Sequence, residues 1–441
     1  MEGVGSLRLP EGCRCETSVA RNFDYFSPIP VESAQKSQVE IELEPANGLS
    51  STPFTFTFQS DDESFLSLGS IYMYCRAQVV NSDGSTLSST DMVAPVNNLL
   101  HSMWSKIETR VNGVEINAAS ATEIPYKAMM ETLLSVEGTN NHFLRAGMFY
   151  QDTAKLYDAN DETNLGFKAR KFQMKADSHL GFSMCGPVCS DFLRSDNHLA
   201  PGNTLTLSFE RMSNQFCLLS STSGKDYKLI IHDIRLYGRR IKLYPEAFYN
   251  VMTKSATLQR YMSTYSEVKE YPVRSGIKTW SANIFSTGSL PKQIIVGMVD
   301  TDAKQGSLSK NPFNFKHNNL SQINLKINGT RVPQEALKPD FTNNLIMRTY
   351  QSLFLNTGKN KINSGNCISV EDFVNGCALF PFDLTPDQCN MFHTHAGHTG
   401  SMELEIKWDV ALPVTTTIVV YAASDQAVML KDGISPVVAV F

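Results

Sequence analysis

The chain has no long apolar run and none of the short motifs that mark common enzymes. No segment approaches the roughly 18 consecutive apolar residues that a membrane-spanning helix needs. The N-terminal MEGVGSLRLPEGC also lacks the apolar stretch of a secretory signal peptide. The patterns GxSxG, HExxH and GxxxxGKS/T are absent as well. We therefore expect no transmembrane segment, synthesis in the cytoplasm without a signal peptide, and no enzymatic activity.

Positive charge is also scarce. The formal net charge is −5, which argues against a protein that coats nucleic acid with its surface. A basic arm at the N-terminus could escape that average. Residues 1–35, however, carry fewer basic than acidic side chains, namely Arg8, Arg14 and Arg21 against Glu2, Glu11, Glu16, Asp24 and Glu32. We expect no sequence-specific binding of nucleic acid.

Cysteine is present without a regular framework. The nine cysteines are an odd number, which fits free thiols in a reducing compartment. Two close pairs exist, Cys13 with Cys15 and Cys185 with Cys189. Neither is joined by the second pair that a structural zinc site needs, so we interpret these thiols as structural.

What the chain does contain is strand signals. Its 441 residues favour two domains of roughly 200 residues each. Short segments with alternating polarity, rich in β-branched and aromatic residues, are bounded by Gly, Asn, Asp, Ser or Pro. Examples are TPFTFTFQS (52–60), NTLTLSFERM (203–212), SMELEIKW (401–408) and TTTIVVYAA (415–423). This spacing is typical of β-sandwiches or barrels rather than βαβ units.

One pattern occurs twice, about half a chain apart. The segment from His101 reads HSMWSKIETRVNGVEI and the segment from His317 reads HNNLSQINLKINGTRV. Asn112-Gly113 and Asn328-Gly329 predict type I′ hairpin turns, because both central residues need positive φ. A two-residue turn places Val111 opposite Val114, Thr109 opposite Ile116, Ile327 opposite Thr330 and Leu325 opposite Val332. We expect each hairpin to present one apolar face to a sandwich core.

A helix is predicted after each hairpin. The first apolar stripe comprises Tyr126, Met129, Met130, Leu133 and Leu134, with Thr122 and Gly138 as ends. The second comprises Ile346, Tyr350, Leu353 and Phe354, with Thr342 and Gly358 as ends. Strand, Asn-Gly, strand and helix therefore recur in both halves, which indicates an internal duplication.

The duplication suggests where the chain divides. The segment KLYPEAFYNVMTKSATLQRYM (242–262) is predicted to be a short helix or linker between the halves. The predicted division is an N-terminal arm (1–35), a first domain (36–243), a linker (244–262), a second domain (263–432) and a C-terminal tail (433–441).

Asp300 and Asp302 follow the apolar run IIVGMV and invite comparison with a metal site for a phosphorylated ligand. No third carboxylate or histidine lies nearby in sequence. Lys304 and Lys310 have only Gly306 beside them and form no phosphate cradle. We therefore interpret IIVGMV as a buried strand that ends at Asp-Thr-Asp, followed by a surface loop.

The segment FHTHAGH holds the remaining metal candidates, His393, His395 and His398. A cupin would place Glu three or four residues after its HxH, whereas Glu403 follows His395 by eight. We interpret the segment as a surface loop, with a cupin-type metalloenzyme using His393 and His395 as an alternative. No cofactor is expected.

Several long segments occur in a fixed order along the chain. The most specific is LPKQIIVGMVDTDAKQGSLSKNPFNFKHNNL (290–320). The others are PVNNLLHSMWSKIETRVNGVEI (95–116), YKAMMETLLS (126–135), KPDF (338–341), YQSLF (350–354), LFPFDLTPD (379–387) and ALPVTTTIVVYA (411–422). Together they resemble the major capsid proteins of Polinton (Maverick) elements and the related adintoviruses. The resemblance covers residues 20–432. It departs from the family at IPYKAM, where a more aromatic run is expected, and at both termini.

The resemblance implies an all-β double jelly roll, that is, two tandem eight-stranded antiparallel sandwiches with short helices inserted in loops. It also implies a homotrimeric, pseudo-hexameric capsomer that tiles an icosahedral shell around double-stranded DNA. The implied partners are further copies of the chain, neighbouring capsomers, and penton and minor capsid proteins. In capsomers of this kind terminal arms often reach under neighbouring subunits, so the arm (1–35) and the tail (433–441) are either clamps between capsomers or disordered ends. The implied location is the virion capsid, with nuclear assembly as one option. In this fold KNPFNFKH is expected to pack Phe313 and Phe315 against the sandwich or a neighbouring subunit.

The alternative from another class is a lectin-like jelly-roll protein, or a host-domesticated relative that acts outside a virion. Glycan binding would require aromatic and acidic side chains grouped in a loop-lined groove. Trp104, Trp280 and Trp408 are the only tryptophans. Because Trp104 and Trp408 fall in strand patterns, we expect them to lie in the core.

Overall fold

A computed structural model describes most of the chain. The described residues are 32–49, 52–88, 90–116, 124–135, 142–174, 179–222, 224–286, 288–361, 364–386, 397–431 and 435–440.

The first half forms two four-stranded sheets and one two-stranded sheet. Its strands are β1 (Gln35–Leu43), β2 (Phe54–Phe58), β3 (Ser64–Asn81), β4 (Val93–Pro95), β5 (Trp104–Val111), β6 (Val114–Glu115), β7 (Phe182–Pro187), β8 (Leu205–Arg211), β9 (Leu218–Ser220) and β10 (Tyr227–Leu243). Its helices are α1 (Leu99–Ser102), α2 (Ile124–Ser135), α3 (His142–Arg145), α4 (Leu165–Met174) and α5 (Asn214–Cys217). The sheet orders are β1-β10-β3-β7, β2-β8-β5-β6 and β4-β9.

The second half forms a five-stranded and a four-stranded sheet. Its elements are α6 (Pro245–Ser255), β11 (Leu258–Val273), β12 (Thr279–Phe285), β13 (Gln293–Asp300), α7 (Thr301–Gly306), β14 (Leu320–Ile327), β15 (Thr330–Leu337), α8 (Met347–Leu355), α9 (Val370–Val374), β16 (Leu379–Asp383), β17 (Met402–Trp408), β18 (Thr416–Lys431) and β19 (Ser435–Val440). The orders are β11-β18-β13-β16, with β19 added on β18, and β12-β17-β14-β15.

The two halves share one topology. Eight strands of the first half, leaving out β4 and β9, and eight of the second half, leaving out β19, pair antiparallel in the same order. When these eight strands are numbered along the chain within each half, strand 1 pairs with strand 8, strand 8 with strand 3, and strand 3 with strand 6. The remaining four strands form the facing sheet. This is the order of an eight-stranded jelly roll, and it confirms the expected tandem architecture with helices in its loops.

Both predicted hairpins are confirmed. Val111 pairs with Val114, and Ile327 pairs with Thr330. Asn112 and Asn328 both have φ 50°, followed by glycines at φ 82° and 83°, as a type I′ turn requires. The predicted apolar face fails beside each turn, because Val114 and Thr330 are exposed. Both residues follow directly after their turns, at the start of the edge strands β6 and β15.

The predicted helices are found, with one boundary wrong. The stripe of α2 is buried throughout, and its predicted ends, Thr122 and Gly138, lie outside the described residues. Helix α8 begins at Met347, not near Thr342. The preceding residues form a tight turn instead, in which the backbone N–H of Asn343 donates to the side chain of Asp340 and Asn344 has φ 58°. The Asp340 side chain is thus hydrogen-bonded within this turn, and the turn takes the place of a helix start near Thr342.

The predicted linker 244–262 contains α6 and the first residues of β11. Helix α6 has no buried residue. The predicted C-terminal tail includes β19, which extends the β11-β18-β13-β16 sheet. Of the predicted N-terminal arm (1–35), only residues 32–35 lie within the described part of the chain. The exact domain borders stay a prediction.

The strand run IIVGMV is confirmed as the buried strand β13, in which all residues but the first are buried. By contrast, β2 alternates, with its three phenylalanines buried and its threonines half-buried. Alternation is typical of a strand with one face in a core, whereas a continuous apolar run is typical of a strand covered on both faces. The second face of β13 meets the other half of the chain: a Cβ at Gly297 would lie within about 3 Å of Phe315, Leu379 and Met130 side-chain atoms.

Candidate functional site

The Asp300–Asp302 pair forms an ion-pair cluster with lysines. Lys316 Nζ lies 2.8 Å from Asp300 Oδ2, and Lys310 Nζ lies 2.7 Å from Asp302 Oδ2. The hydrogen bond from Lys310 lowers the pKa of Asp302. Lys304 pairs with Glu270 on β11. Asp300 and Asp302 are thus neutralised by Lys310 and Lys316, which follow them in the chain, and Lys304 is paired with a carboxylate of the neighbouring strand.

The segment that follows is not a surface loop throughout, because Thr301–Gly306 form helix α7. Residues 307–319 run into the contact between the two halves. There Asn311 donates from Nδ2 to Asp152 Oδ2 (3.1 Å) and to the Tyr157 carbonyl (3.0 Å). Asn311 is buried. The surface interpretation was wrong because the loop finds its polar partners in residues 150–160 of the first half, and a buried polar loop is stable when such partners exist.

Asp152 also holds a fully buried arginine. The Arg170 guanidinium donates to Asp152 Oδ1 (2.8 Å), to the Pro95 carbonyl (2.9 Å) and to the Tyr150 carbonyl (2.9 Å). The side chains of Arg170 and Asp152 are 0% and 1% exposed. Arg170 and Asp152 together therefore tie α4 to the edge of β4 and to the loop from the second half.

Phe313 and Phe315 confirm the expected packing against the sandwich. Both are buried, and they form edge-to-face contacts with Tyr126 of α2 at ring separations of 5.8 and 6.3 Å. Phe216 of α5 joins the cluster, 5.9 Å from Phe313. Aromatic residues of both halves thus share one core, in the orientation that ring quadrupoles favour.

A second buried cluster lies where α2 meets β11 and β18. Lys127 Nζ is 2.7 Å from Asp191 Oδ1. Asp191 Oδ2 accepts from the backbone N–H of Ser266 on β11 (2.9 Å) and from its hydroxyl (2.7 Å). Nearby, Glu131 accepts from the hydroxyl of Tyr421 on β18 (3.0 Å) and pairs with Arg194. Polar groups of the first half therefore bind strands of the second half directly.

The sequence carries patterns that indicate two of these buried charged residues, Arg170 and Lys127. Arg170 lies on the same face of α4 as Phe167 and Met174, at the i, i+3, i+7 spacing of a buried stripe. Lys127 lies inside the apolar run of α2. A charged residue on an apolar helix face indicates a buried partner, although the sequence does not identify that partner.

A cleft of about 1030 Å³ separates the two sandwiches on one side. Its lining includes Arg194, Lys292 and Asp425. Two ion pairs lie within its wall, Arg194 with Glu131 and Lys292 with Asp425, the latter at 2.6 Å. These four side chains therefore neutralise each other.

The predicted metal candidates are only partly within the described residues. His398 is exposed, whereas His393 and His395 lie outside the described part. Among the described residues, no group of three or more His, Cys, Asp or Glu side chains is placed to hold a metal ion. The metal assignment stays a prediction.

The cysteines and tryptophans are consistent with structural roles. Cys189 is buried and Cys185 half-buried, and both are free thiols. Burial raises the pKa of Cys189 to about 11 despite the opposing charge of Lys127. Cys13 and Cys15 lie outside the described residues. Trp104 and Trp408 are buried, as predicted, and Trp280 packs on Tyr271 with ring centroids 5.6 Å apart.

Several large apolar side chains are nevertheless exposed. On α4, Leu165 and Phe172 are 66% and 79% exposed and lie seven residues apart, on the same helix face. Phe143, Leu180 and Tyr249 are exposed as well. Exposed apolar groups of this size mark interaction surfaces when they cluster. None of the described helices combines the length and apolar character needed to span a lipid bilayer.

Comparison with known sequences yields one distant relative. No protein-family model matches the chain. An uncharacterised protein of Caenorhabditis elegans is 23% identical over 404 residues, which span 88% of this chain and 93% of that protein.

Solved structures superimpose over nearly the whole chain. A chain of the Sputnik virophage, determined by cryo-EM, matches with a TM-score of 0.63 and 11% identity, covering 100% of this chain and 93% of that chain. The Faustovirus major capsid protein gives 0.58 and 10%, covering 94% and 93%. The mavirus major capsid protein gives 0.53 and 9%, covering 98% and 97%. The chain therefore has the double jelly-roll fold of these viral proteins.

Proposed function

We propose that this chain is the major capsid protein of a virus or virus-like element of the Polinton (Maverick) or adintovirus type. Three copies form a pseudo-hexameric capsomer, and the capsomers tile an icosahedral shell around double-stranded DNA. The protein acts as a building block and not as an enzyme. Its partners are its own copies, neighbouring capsomers, and penton and minor capsid proteins, and its location is the virion capsid.

The observation that carries this proposal is the pair of jelly rolls fixed side by side by a buried junction. Two sandwiches of identical topology make one chain a two-part tile, and three such chains present six sandwiches around an axis. The junction includes the buried Arg170–Asp152–Asn311 contacts and the shared aromatic cluster. A rigid relation between the sandwiches is what a tile with defined edges requires.

Two further observations support a structural role. Four charged side chains that line the cleft between the sandwiches form two ion pairs with each other, Arg194 with Glu131 and Lys292 with Asp425. Large exposed apolar side chains on α4 need a covering surface, and obligate assemblies supply such cover over interfaces of up to thousands of Å². The lectin-like alternative has less support, since Trp104 and Trp408 are buried and Trp280 packs on Tyr271.

The test is the assembly state of the expressed chain. We expect a trimer by multi-angle light scattering that persists on dilution to low micromolar concentration, and capsid-like particles by negative-stain microscopy. A stable monomer with no particles, under several salt and pH conditions, would overturn the proposal. A glycan array on the same preparation tests the alternative, for which specific hits are required.

A further inference from the structure

Lys127 and Asp191 form an ion pair that is almost completely removed from solvent. Their side chains are 3% and 5% exposed, with 2.7 Å between Nζ and Oδ1. Lys127 projects from α2, and Asp191 precedes the 3₁₀ turn Phe192–Arg194. Burying two opposite charges costs several kcal/mol per ion before their attraction is counted. A neutral product in the same place would avoid that cost.

The carboxylate of Asp191 is held differently at its two oxygens. Oδ2 accepts two hydrogen bonds from Ser266, from the N–H at 2.9 Å and from the hydroxyl at 2.7 Å. Oδ1 has no aligned hydrogen-bond partner among the described residues, although Lys127 Nζ lies 2.7 Å away. The nitrogen therefore touches the carboxylate without the alignment of an ordinary hydrogen bond.

We propose that Lys127 and Asp191 condense after folding to form an intramolecular isopeptide bond. A bond forms between Nζ of Lys127 and Cγ of Asp191, and the bond between Cγ and Oδ1 breaks. The ammonium carries three protons: one stays on the amide nitrogen and two leave with Oδ1 as water. Charge balances, since a cation and an anion give a neutral amide and a neutral water molecule, and no external reagent is consumed.

Ser266 is placed to stabilise the intermediate. Attack on Cγ puts negative charge on Oδ2, where the N–H and hydroxyl of Ser266 already donate. Two fixed donors on a developing oxyanion are the arrangement that accelerates acyl transfer. Since Ser266 belongs to β11, this donor pair is in place only once the second sandwich has docked on the first.

Glu131 is the candidate proton carrier. It lies one helical turn from Lys127 on α2 and therefore on the same helix face. Burial lowers the pKa of Lys127, but the charges of Asp191 and Glu131 raise it above its ordinary value overall. The ion pair is thus the resting form. The reaction requires the small fraction of molecules in which Nζ of Lys127 has lost a proton. We therefore expect it to be slow, over hours to days.

The chain contains a matched pair that cannot react. Arg170 and Asp152 are equally buried and 2.8 Å apart, but a guanidinium does not lose its proton in proteins. Peptides containing Arg170 and Asp152 should therefore remain unlinked in the same digest, which makes this pair an internal control for artefactual condensation.

The experiment is mass spectrometry of the full-length folded protein, denatured after incubation. We expect an intact mass about 18 Da, one water, below that of the sequence, and a branched peptide that joins Lys127 to Asp191. The variant Lys127→Arg should have its full mass. The variant Ser266→Ala should lose the cross-link or form it several-fold more slowly, and Ser266→Thr, which keeps both donors, should restore it.

One wild-type result overturns the proposal and does not depend on the folding of any variant. Folded protein, verified by gel filtration, that keeps its full intact mass after a week and gives only linear peptides at both positions would refute it. The same result would leave the capsid proposal untouched, because assembly is measured separately. A mass loss that maps to other residues would equally refute the assignment to Lys127 and Asp191.

Discussion

Gly376 lies where the loop after α9 passes the ring of Tyr157. Its φ is 135°, and an added Cβ would lie 2.2 Å from the Tyr157 ring. Tyr157 is buried and its hydroxyl contacts Cys377 Sγ at 2.9 Å, so the ring has no room to move away. At this residue both the backbone conformation and the space exclude a side chain.

We predict that Gly376→Ala lowers the free energy of unfolding by about 2–5 kcal/mol, from backbone strain and overpacking together. The measurement is urea denaturation followed by circular dichroism. Gly365→Ala is the control, because its Cβ would meet open space at an ordinary φ. Equal midpoints for the two variants would contradict the prediction.

His317 makes the stability of the folded protein depend on pH in the acidic range. Burial lowers the pKa of His317 from 6.5 to about 4, and its ring stacks on Phe341 with centroids 3.8 Å apart. Between these two pH values the unfolded chain binds a proton that the folded chain does not. Stability therefore falls as pH drops from about 6.5 to 4 and is fully retained above that window.

The variant His317→Asn does not titrate, and its oxygen can replace Nδ1 as the acceptor from the Asn319 N–H. We predict that the melting temperature of the wild type declines more steeply than that of this variant as pH falls from 6.5 to 4. His398→Asn, at an exposed position, serves as the control and should follow the wild type. Parallel curves for wild type and His317→Asn would refute the prediction.

At the scale of elements, the Asn-Gly turns of the two sandwiches make equivalent hydrogen bonds. The Asn112 side chain accepts from the Thr204 N–H (2.9 Å), just before β8. The Asn328 side chain accepts from the Ser401 N–H (3.0 Å), just before β17. Each asparagine thus both shapes its hairpin and anchors the start of the neighbouring strand. This correspondence extends the sequence repeat to individual hydrogen bonds.

We predict that Asn328→Ala destabilises more than Asn328→Gly. Both variants lose the bond to Ser401, at about 1 kcal/mol. The alanine must also adopt φ near 50°, which adds about 1–2 kcal/mol, whereas glycine adopts that φ freely. Chemical denaturation of both variants measures the difference, and Asn112→Ala and Asn112→Gly should show the same order. A larger loss for glycine than for alanine would contradict it.

The individual elements also show which structural features sequence patterns can predict. Turn chemistry is local, so Asn-Gly predicted both hairpins. The burial of β13 was predicted because its apolar run is continuous. The start of helix α8 was predicted too early because the Asp340 turn competes with a helix start. The burial of the loop at 307–319 was not predicted because its partners are distant in sequence: Asp152 lies 159 residues from Asn311. Periodicity within a segment carries no information on partners so distant.

At the scale of the molecule, the two sandwiches are joined by buried polar groups as well as apolar ones. Asp152 binds Arg170 of its own half and Asn311 of the other. Such a shared partner couples the stability of the halves, because separating them would leave buried polar groups without hydrogen bonds. We therefore expect the chain to unfold as one unit.

Asp152→Ala tests this coupling. The substitution leaves the Arg170 charge buried and unpaired, which costs about 3–5 kcal/mol. We predict that the transition shifts to lower denaturant for both halves together, measured in variants that retain only Trp104 or only Trp408. The control is Glu63→Ala, which removes the exposed partner of Lys242 and should change little. A shift confined to the Trp104 reporter would contradict the coupling.

The crossing of residues 307–319 into the first half has a consequence for biosynthesis. A ribosome releases a chain from its N-terminus, and domains usually fold as they emerge. Here the segment around Asp152 is complete only when Asn311 and Phe313 arrive, long after the first sandwich has left the exit tunnel. The α4 region of the nascent first half therefore remains incomplete until the first part of the second half has also been translated.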